Sequence, residues 1–178
     1  MDTPPPTLER LVDQAKKLFE ESEYEQAADL FEKIYRQYAD AGDALNAAEN
    51  KNNCSVALLK ADQAQKALDM AIGTDQVFAN TGDKTRQAMA LGNQAAAVEA
   101  LGDLDRALAL YQQASDLLKE TGESDLRSYV LKSISSLKMR KGKVMESMVS
   151  MQAAIGDKKS PSLVERILKK LLGLIFKN

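Results

Sequence analysis

The sequence predicts an all-α protein, an α-solenoid of four antiparallel helix pairs followed by a C-terminal amphipathic helix. Three observations support this fold class. The 178 residues are rich in strong helix formers and include only 4 Pro and 5% aromatic residues. Turn-forming residues recur every 20 positions, and small residues suited to helix crossings recur every 40. Stacking of such pairs gives a chain of this length one continuous core.

The 20-residue period is carried by residues that end helices. The turn-prone residues fall at positions 22, 42, 62, 82, 102, 122 and 142, five of them Gly, and Ser162 continues the series. Glycine accepts the left-handed conformation that closes a helix, and a following Asp, Glu or Ser can cap the next helix. Each interval therefore predicts one helix of about 15–18 residues, about 25 Å long.

The 40-residue period marks where paired helices cross. Ala27, Ala67, Ala107 and Ser147 are all small and allow close approach, while larger residues one turn later fill the remaining space. We predict a disordered N-terminus over residues 1–7. Residues 8–157 then form four repeats, at about 8–41, 44–81, 84–121 and 124–157.

The segment "LGNQAAAVEALGDLDRALALYQQASDLL" (91–118) resembles a tetratricopeptide repeat. Its Gly102, Ala107, Tyr111 and Ala114 match the glycine, alanine and aromatic positions of that family. The 40-residue spacing is similar to the extended subclass found in kinesin light chains. The resemblance covers roughly residues 8–157, and it implies a protein-binding α-solenoid whose first helices line a concave groove.

The composition excludes most catalytic and metal sites. The chain has no His and one Cys, so a disulfide framework and a His or multi-Cys zinc site are excluded. Cys54 shares a helical stripe with Leu58 and has no His to activate it, which indicates a buried structural thiol. No phosphate-binding glycine motif or EF-type calcium loop is present. We therefore expect no enzyme activity and no cofactor.

The charge distribution is strongly asymmetric. Residues 1–120 carry 12 Lys/Arg and 21 Asp/Glu, a net charge of −9, whereas residues 121–178 carry 12 and 5, a net charge of +7. The basic run "LKMRKGK" (137–143) is short and lacks aromatic residues, so no nucleic-acid partner is expected. The N-terminus has no apolar signal region, which favours a cytoplasmic protein.

The groove is the predicted binding site for a protein or peptide partner. The tetratricopeptide resemblance implies a ladder of amides along the first helices that holds the backbone of a bound peptide. The matching positions are Asp13, Asn53, Asn93 and Ser133, of which only two are Asn. Nearby amides and basic residues complete the candidate set, which comprises Asn50, Asn52, Asn53, Asn93, Lys132, Ser133 and Arg140.

The C-terminal segment "SPSLVERILKKLLGLIFKN" predicts an amphipathic helix over residues 161–177, with Ser160 as its cap and Pro161 at its first position. Its apolar residues cover an arc of about 220°, roughly twice the stripe that a capping helix needs. The residues proposed for self-association or membrane contact are Val164, Ile167, Leu168, Leu171, Leu172, Leu174, Ile175 and Phe176.

Several uses of the wide apolar arc remain open. The helix can cap the last repeat with one flank and leave the other flank free. The free flank can then pair with a second chain to give a homodimer. It can instead lie on an anionic membrane surface, or enter the groove of its own or another chain.

Overall fold

The computed structural model describes residues 7–175, except for the side chain of Leu174, and this part of the chain contains ten α-helices and no strand. The helices are α1 (Leu8–Glu20), α2 (Tyr24–Asp40), α3 (Ala44–Lys60), α4 (Ala64–Ala71), α5 (Thr74–Asn80), α6 (Lys84–Ala100), α7 (Leu104–Thr121), α8 (Ser124–Arg140), α9 (Val144–Asp157) and α10 (Leu163–Ile175). Of the predicted disordered N-terminus, residues 1–6 lie outside the described residues, and the Thr7 hydroxyl caps α1 by accepting the Arg10 amide.

The turns confirm the 20-residue period. All seven predicted turn positions from 22 to 142 have positive φ angles, between 57° and 90°. Five are glycines, which adopt this left-handed conformation without steric cost. Ser22 and Asp62 adopt it with side chains, at φ of 65° and 57°.

Consecutive helices pack side by side through small buried residues. Ala27, Ala67 and Ala107 are fully buried at the predicted crossings. Hydrogen bonds close two of these crossings, because the Ser55 hydroxyl donates to the Ala67 carbonyl at 2.7 Å and the Ser135 hydroxyl donates to the Ser147 carbonyl at 2.9 Å. Most buried apolar residues of α1–α9 form one continuous core cluster, as expected for stacked repeats.

The second repeat departs from the prediction of one helix per interval. Its second helix is interrupted between α4 and α5, where Ile72 is extended and Gly73 has a φ of 82°. Polar side chains bond the backbone at the break: the Thr74 hydroxyl donates to the Ala71 carbonyl at 2.7 Å, and the Gln94 amide donates to the same carbonyl at 3.2 Å. The break therefore replaces helical hydrogen bonds with side-chain hydrogen bonds.

The last helix begins later than the sequence predicts. α10 starts at Leu163, and the Ser162 hydroxyl accepts the Glu165 amide at 3.3 Å, so Ser162 is the cap instead of Ser160. Pro161 consequently precedes the helix. α10 packs against α9 and extends the stack beyond the four pairs.

Candidate functional site

A cleft lies on the face formed by the first helices α3, α6 and α8. Its volume is about 290 Å³, and most of its lining is apolar. Residues from the three helices and from α7 line it: Val56, Leu59, Lys60, Ala88, Met89, Gly92, Asn93, Ala96, Tyr111, Leu118, Leu126, Tyr129 and Val130. A concave apolar cleft with a few polar groups is the usual form of a binding site.

Gly92 lines the cleft in the middle of α6. Gly92 stands where the other repeats have Val12, Asn52 and Lys132 at 40-residue spacing. A Cβ atom added to Gly92 would meet no other group within 4 Å, so there is room for a side chain at this position. Met89 and Tyr129 form an exposed rim, and the Tyr129 side chain is 73% exposed.

Two rungs of the predicted amide ladder reach this face. Asn93 lines the cleft, and Asn53 lines a neighbouring pocket of about 200 Å³ together with Lys16, Phe19 and Val56. Both asparagines are half-buried. Ser133, at the next position of the ladder, is also half-buried.

Asn50 and Asn52 do not line the groove, contrary to the sequence prediction. Both are buried between helices. The Asn50 amide donates to the Asn46 carbonyl at 2.8 Å, and the Asn52 amide oxygen lies 3.0 Å from the Thr74 hydroxyl oxygen. Neighbouring positions on a helix point about 100° apart, so these residues turn toward the adjacent helices while Asn53 faces the groove.

The predicted basic end of the groove is neutralised by ion pairs. Lys132 Nζ lies 2.7 Å from Glu165 Oε1 of α10, and Arg140 Nη1 lies 2.7 Å from Glu99 Oε1. The other carboxylate oxygen of Glu99 accepts the Tyr111 hydroxyl at 3.3 Å. Burial raises the pKa of the Tyr111 hydroxyl well above its usual value, so this hydroxyl stays protonated.

Met89 and Tyr129 were missed by the sequence analysis. Their spacing could have identified them, because Met89 and Tyr129 lie four residues before Asn93 and Ser133, one helical turn away on the same face. The predicted groove residues were chosen for their amide or charged groups, whereas the cleft is lined mainly by apolar side chains.

The terminal helix has one docked flank and one exposed flank. Leu172 is only 4% exposed, and Leu168 and Glu165 are half-buried, so these three residues form the docked flank. Leu168 and Leu172 therefore belong to the internal packing and not to the free surface that the sequence analysis assigned to them. Of that set, Phe176 and the side chain of Leu174 lie outside the described residues.

The exposed flank of α10 is apolar and wide. Its members are Leu163, Val164, Ile167, Leu171 and Ile175, and each is about half exposed or more. Monomeric proteins seldom leave such a contiguous apolar surface uncovered. This flank is therefore a second candidate contact surface.

Glu165 attaches α10 to the repeats. Its carboxylate lies 2.7 Å from Lys132 Nζ and 3.0 Å from Lys158 Nζ, and it accepts the Ser162 amide at 2.8 Å. The hydrogen bond from Lys132, followed by those from the Ser162 amide and Lys158, holds the pKa of the Glu165 carboxyl far below its usual value. The carboxylate is thus charged at neutral pH.

The described residues contain no acidic, Cys or His cluster able to hold a metal ion. Cys54 is buried as predicted, and burial, with a smaller effect of the Glu32 charge, raises the pKa of its thiol to about 12. A thiol of this kind is a poor nucleophile at neutral pH. Within residues 7–175, no helix is both long and apolar enough to span a membrane.

Comparison with known proteins supports the repeat architecture. The family model for "SNAP: Soluble NSF attachment protein" matches residues 8–171. A structure described as kinesin light chain TPR-like repeats from Podosopora anserina is 16% identical, with a TM-score of 0.75, over 94% of this chain and 85% of that one. BtubC (BKLC) from P. vanneervenii is 15% identical, with a TM-score of 0.74, over 91% and 73% of the two chains. No curated protein matches the sequence.

Proposed function

Because the chain belongs to the soluble NSF attachment protein (SNAP) family, whose TPR-like members are generally non-catalytic scaffolds, we propose that it is a non-enzymatic protein–protein interaction scaffold. Its concave cleft would bind a peptide or a helical segment of a protein partner. The family is named for attachment to NSF, and two of the similar structures are described as kinesin light chain repeats. The proposed ligand is defined by the chemistry of the cleft and not by these names.

The observation that supports groove binding is the apolar cleft lined by Gly92 and its neighbours on α3, α6 and α8. Its volume of about 290 Å³ accommodates one or two large apolar side chains of a partner. The Met89 and Tyr129 side chains at its rim would lose exposed apolar surface on binding, at about 25 cal/mol per Å². The Asn93 amide beside them offers a donor and an acceptor to the partner backbone.

Filling the cleft tests this proposal. Peptides are first selected from a 12-residue display library for binding to the protein, and their affinities are then measured for variants at one position. We expect Gly92→Leu, which occupies the cleft, to weaken binding at least tenfold, and Gly92→Ala to weaken it much less. Equal affinity of the selected peptides for both variants and for the parent protein would place their binding elsewhere.

We further propose that the exposed flank of α10 supports self-association. A homodimer would cover the apolar side chains of Ile167 and Leu171, which a monomer leaves in water. Light scattering after size exclusion should give twice the 19.5 kDa chain mass for the parent protein and the single-chain mass for Leu171→Glu. Val149→Glu, at an exposed apolar position of α9, is the matched control. A single-chain mass for the parent protein would contradict self-association.

The alternative is a cytoplasmic peripheral membrane adaptor. It is favoured by the basic residues Arg166, Lys169 and Lys170 on the same helix as the exposed apolar flank, an arrangement typical of interfacial helices. Sedimentation with phosphatidylserine vesicles tests it. Membrane binding should weaken between low salt and 0.5 M salt because the electrostatic attraction is screened. Failure to sediment at low salt would rule out this alternative.

A further inference from the structure

A second cavity lies on the side of α3 opposite the cleft, and we call it the outer pocket. Its volume is about 300 Å³. Ala47 of the outer pocket and Val56 of the cleft are nine residues apart on α3, which is about 180° around the helix. The lining comes from the end of α2, the following turn, the first half of α3 and the α4–α5 break: Ala39, Gly42, Ala44, Ala47, Ala48, Lys51, Gly73, Thr74 and Val77.

The outer pocket is lined by residues whose counterparts in later repeats are larger or charged. Gln87 and Arg127 occupy the position of Ala47 in the third and fourth repeats. In the fourth repeat, Arg127 forms an ion pair with Asp157, and Asp157 occupies the position of Val77. The second repeat therefore has two apolar side chains on a cavity where the fourth repeat has a charged pair.

One cation lines this otherwise apolar pocket. Lys51 is half-buried at the position that Leu91 occupies in the third repeat. Its Nζ lies 6.0 Å from the centre of the Tyr35 ring, and among the residues that the structure describes it forms no ion pair. The other polar side chain of the lining is Thr74, whose hydroxyl donates to the Ala71 carbonyl at 2.7 Å. The charge of Lys51 is therefore available to a ligand.

We propose that the outer pocket binds a small amphiphilic carboxylate, with its hydrocarbon chain against Ala47 and Val77 and its carboxylate beside Lys51. The apolar lining would remove the chain from water, and the Lys51 amine would donate a charge-assisted hydrogen bond. A single cation suits a carboxylate better than a phosphate, which several donors usually bind together. Since a cavity of about 150 Å³ holds benzene, the outer pocket suits a chain of about eight carbon atoms.

The surroundings of the outer pocket favour a small ligand over a protein surface. A stable protein interface buries about 800 Å² on each partner. Beside the pocket, Ile72 is a large apolar side chain that is 49% exposed, but the chain next to the lining also carries the acidic residues Asp40, Asp43 and Asp75. These carboxylates would favour a cation and Lys51 would favour an anion, so the charge of the preferred ligand tests the role of Lys51 directly.

Titration of the ¹⁵N-labelled protein, followed by NMR, tests the proposal with octanoate as the probe. Octylammonium has a chain of the same length with the opposite charge, and butanoate has the same charge on a shorter chain. We expect octanoate to shift the amide signals of residues 39–51 and 72–77 saturably. It should bind at least fivefold more tightly than octylammonium because of the ion pair, and at least fivefold more tightly than butanoate because it buries more hydrocarbon.

Three variants connect the binding to the outer pocket. Ala47→Gln introduces the side chain that the third repeat has at this position, and it should weaken octanoate binding at least fivefold. Lys51→Met removes the amine and keeps an apolar chain, so octanoate should lose its advantage over octylammonium. Lys60→Met, on the groove side of the same helix, is the matched control and should leave both affinities unchanged. Circular dichroism of each variant confirms that the helices remain folded.

Several outcomes would overturn the proposal. It is wrong if octanoate causes no saturable shift up to about 5 mM, or if octylammonium binds more tightly. It is also wrong if octanoate binding survives Ala47→Gln and is lost in Gly92→Leu, which would place the ligand in the cleft, or if the shifts are confined to α10. Peptides selected for the cleft should bind Ala47→Gln as they bind the parent protein, so failure of the outer pocket leaves the proposed groove function standing.

Discussion

Replacing glycine by alanine should have opposite effects on stability inside a helix and in a turn. Gly92 lies inside α6 with helical backbone angles, and Gly102 occupies a turn at a φ of 90°. A Cβ atom at either position would meet no group within 4 Å. Steric contacts therefore cancel in the comparison, and only the backbone conformation differs.

The expected effects have opposite signs. Gly92→Ala should stabilise the protein by about 0.5–1 kcal/mol, the difference between the two residues inside a helix. Gly102→Ala forces an L-residue into the left-handed region at a cost of about 1–2 kcal/mol. The loss of unfolded-state freedom offsets about 0.4–1 kcal/mol of that cost. The net result at Gly102 is a destabilisation of about 1 kcal/mol.

Thermal unfolding monitored by circular dichroism measures both effects. For a chain of this length, 1 kcal/mol moves the midpoint by about 2–4 °C. Gly92→Ala should therefore raise the midpoint by about 1–4 °C, and Gly102→Ala should lower it by a similar amount. The reasoning is refuted if both substitutions move the midpoint in the same direction.

Three further predictions follow from single side chains. Asp62→Gly should stabilise the protein by about 0.5 kcal/mol, because Asp62 is left-handed at a φ of 57° and glycine removes that strain. Urea unfolding measures this change in stability, and the control variant Asp62→Ala should show no gain. Because the pKa of Glu165 is lowered, its contribution to the docking of α10 should be full above pH 4.5, the usual value, and should decline as the pH falls toward the lower folded-state pKa. Amide hydrogen exchange, expressed as protection relative to the intrinsic rate at each pH, should show this decline for α10. In the Glu165→Gln variant, the α10 amides should be less protected at neutral pH, and their protection should change little as the pH falls. Cys54, with its thiol pKa raised to about 12, should resist maleimide at pH 7 in the folded protein and react in urea; rapid labelling of the folded protein would contradict its burial.

Side-chain pattern and local backbone preference were sufficient to predict the fold. The turn residues at 20-residue spacing define where each helix ends, because glycine and a few polar residues tolerate the left-handed conformation. The crossing residues Ala27, Ala67 and Ala107 were predictable for the same kind of reason, since close contact between helices requires small side chains. Such preferences act within a few residues and can be recognised in a single sequence.

The helix break in the second repeat could not be predicted from local sequence preferences. Gly73 alone does not predict a break, because a glycine inside a helix lowers the stability of that helix by only about 1 kcal/mol relative to alanine. The break also uses hydrogen bonds from Thr74 and Gln94, and Gln94 lies in the next repeat. No local rule links residues that far apart along the chain.

The binding surface needed the tertiary structure most. The sequence by itself determined the repeat period, the turn positions and the excess width of the apolar arc on α10, because each follows from residue type and spacing along one helix. The tertiary structure decided that Asn52 is buried while Asn53 faces the groove, and that Lys132 is neutralised by Glu165. It also decided which flank of α10 docks, because rotation of a helix about its axis depends on the surface against which it packs.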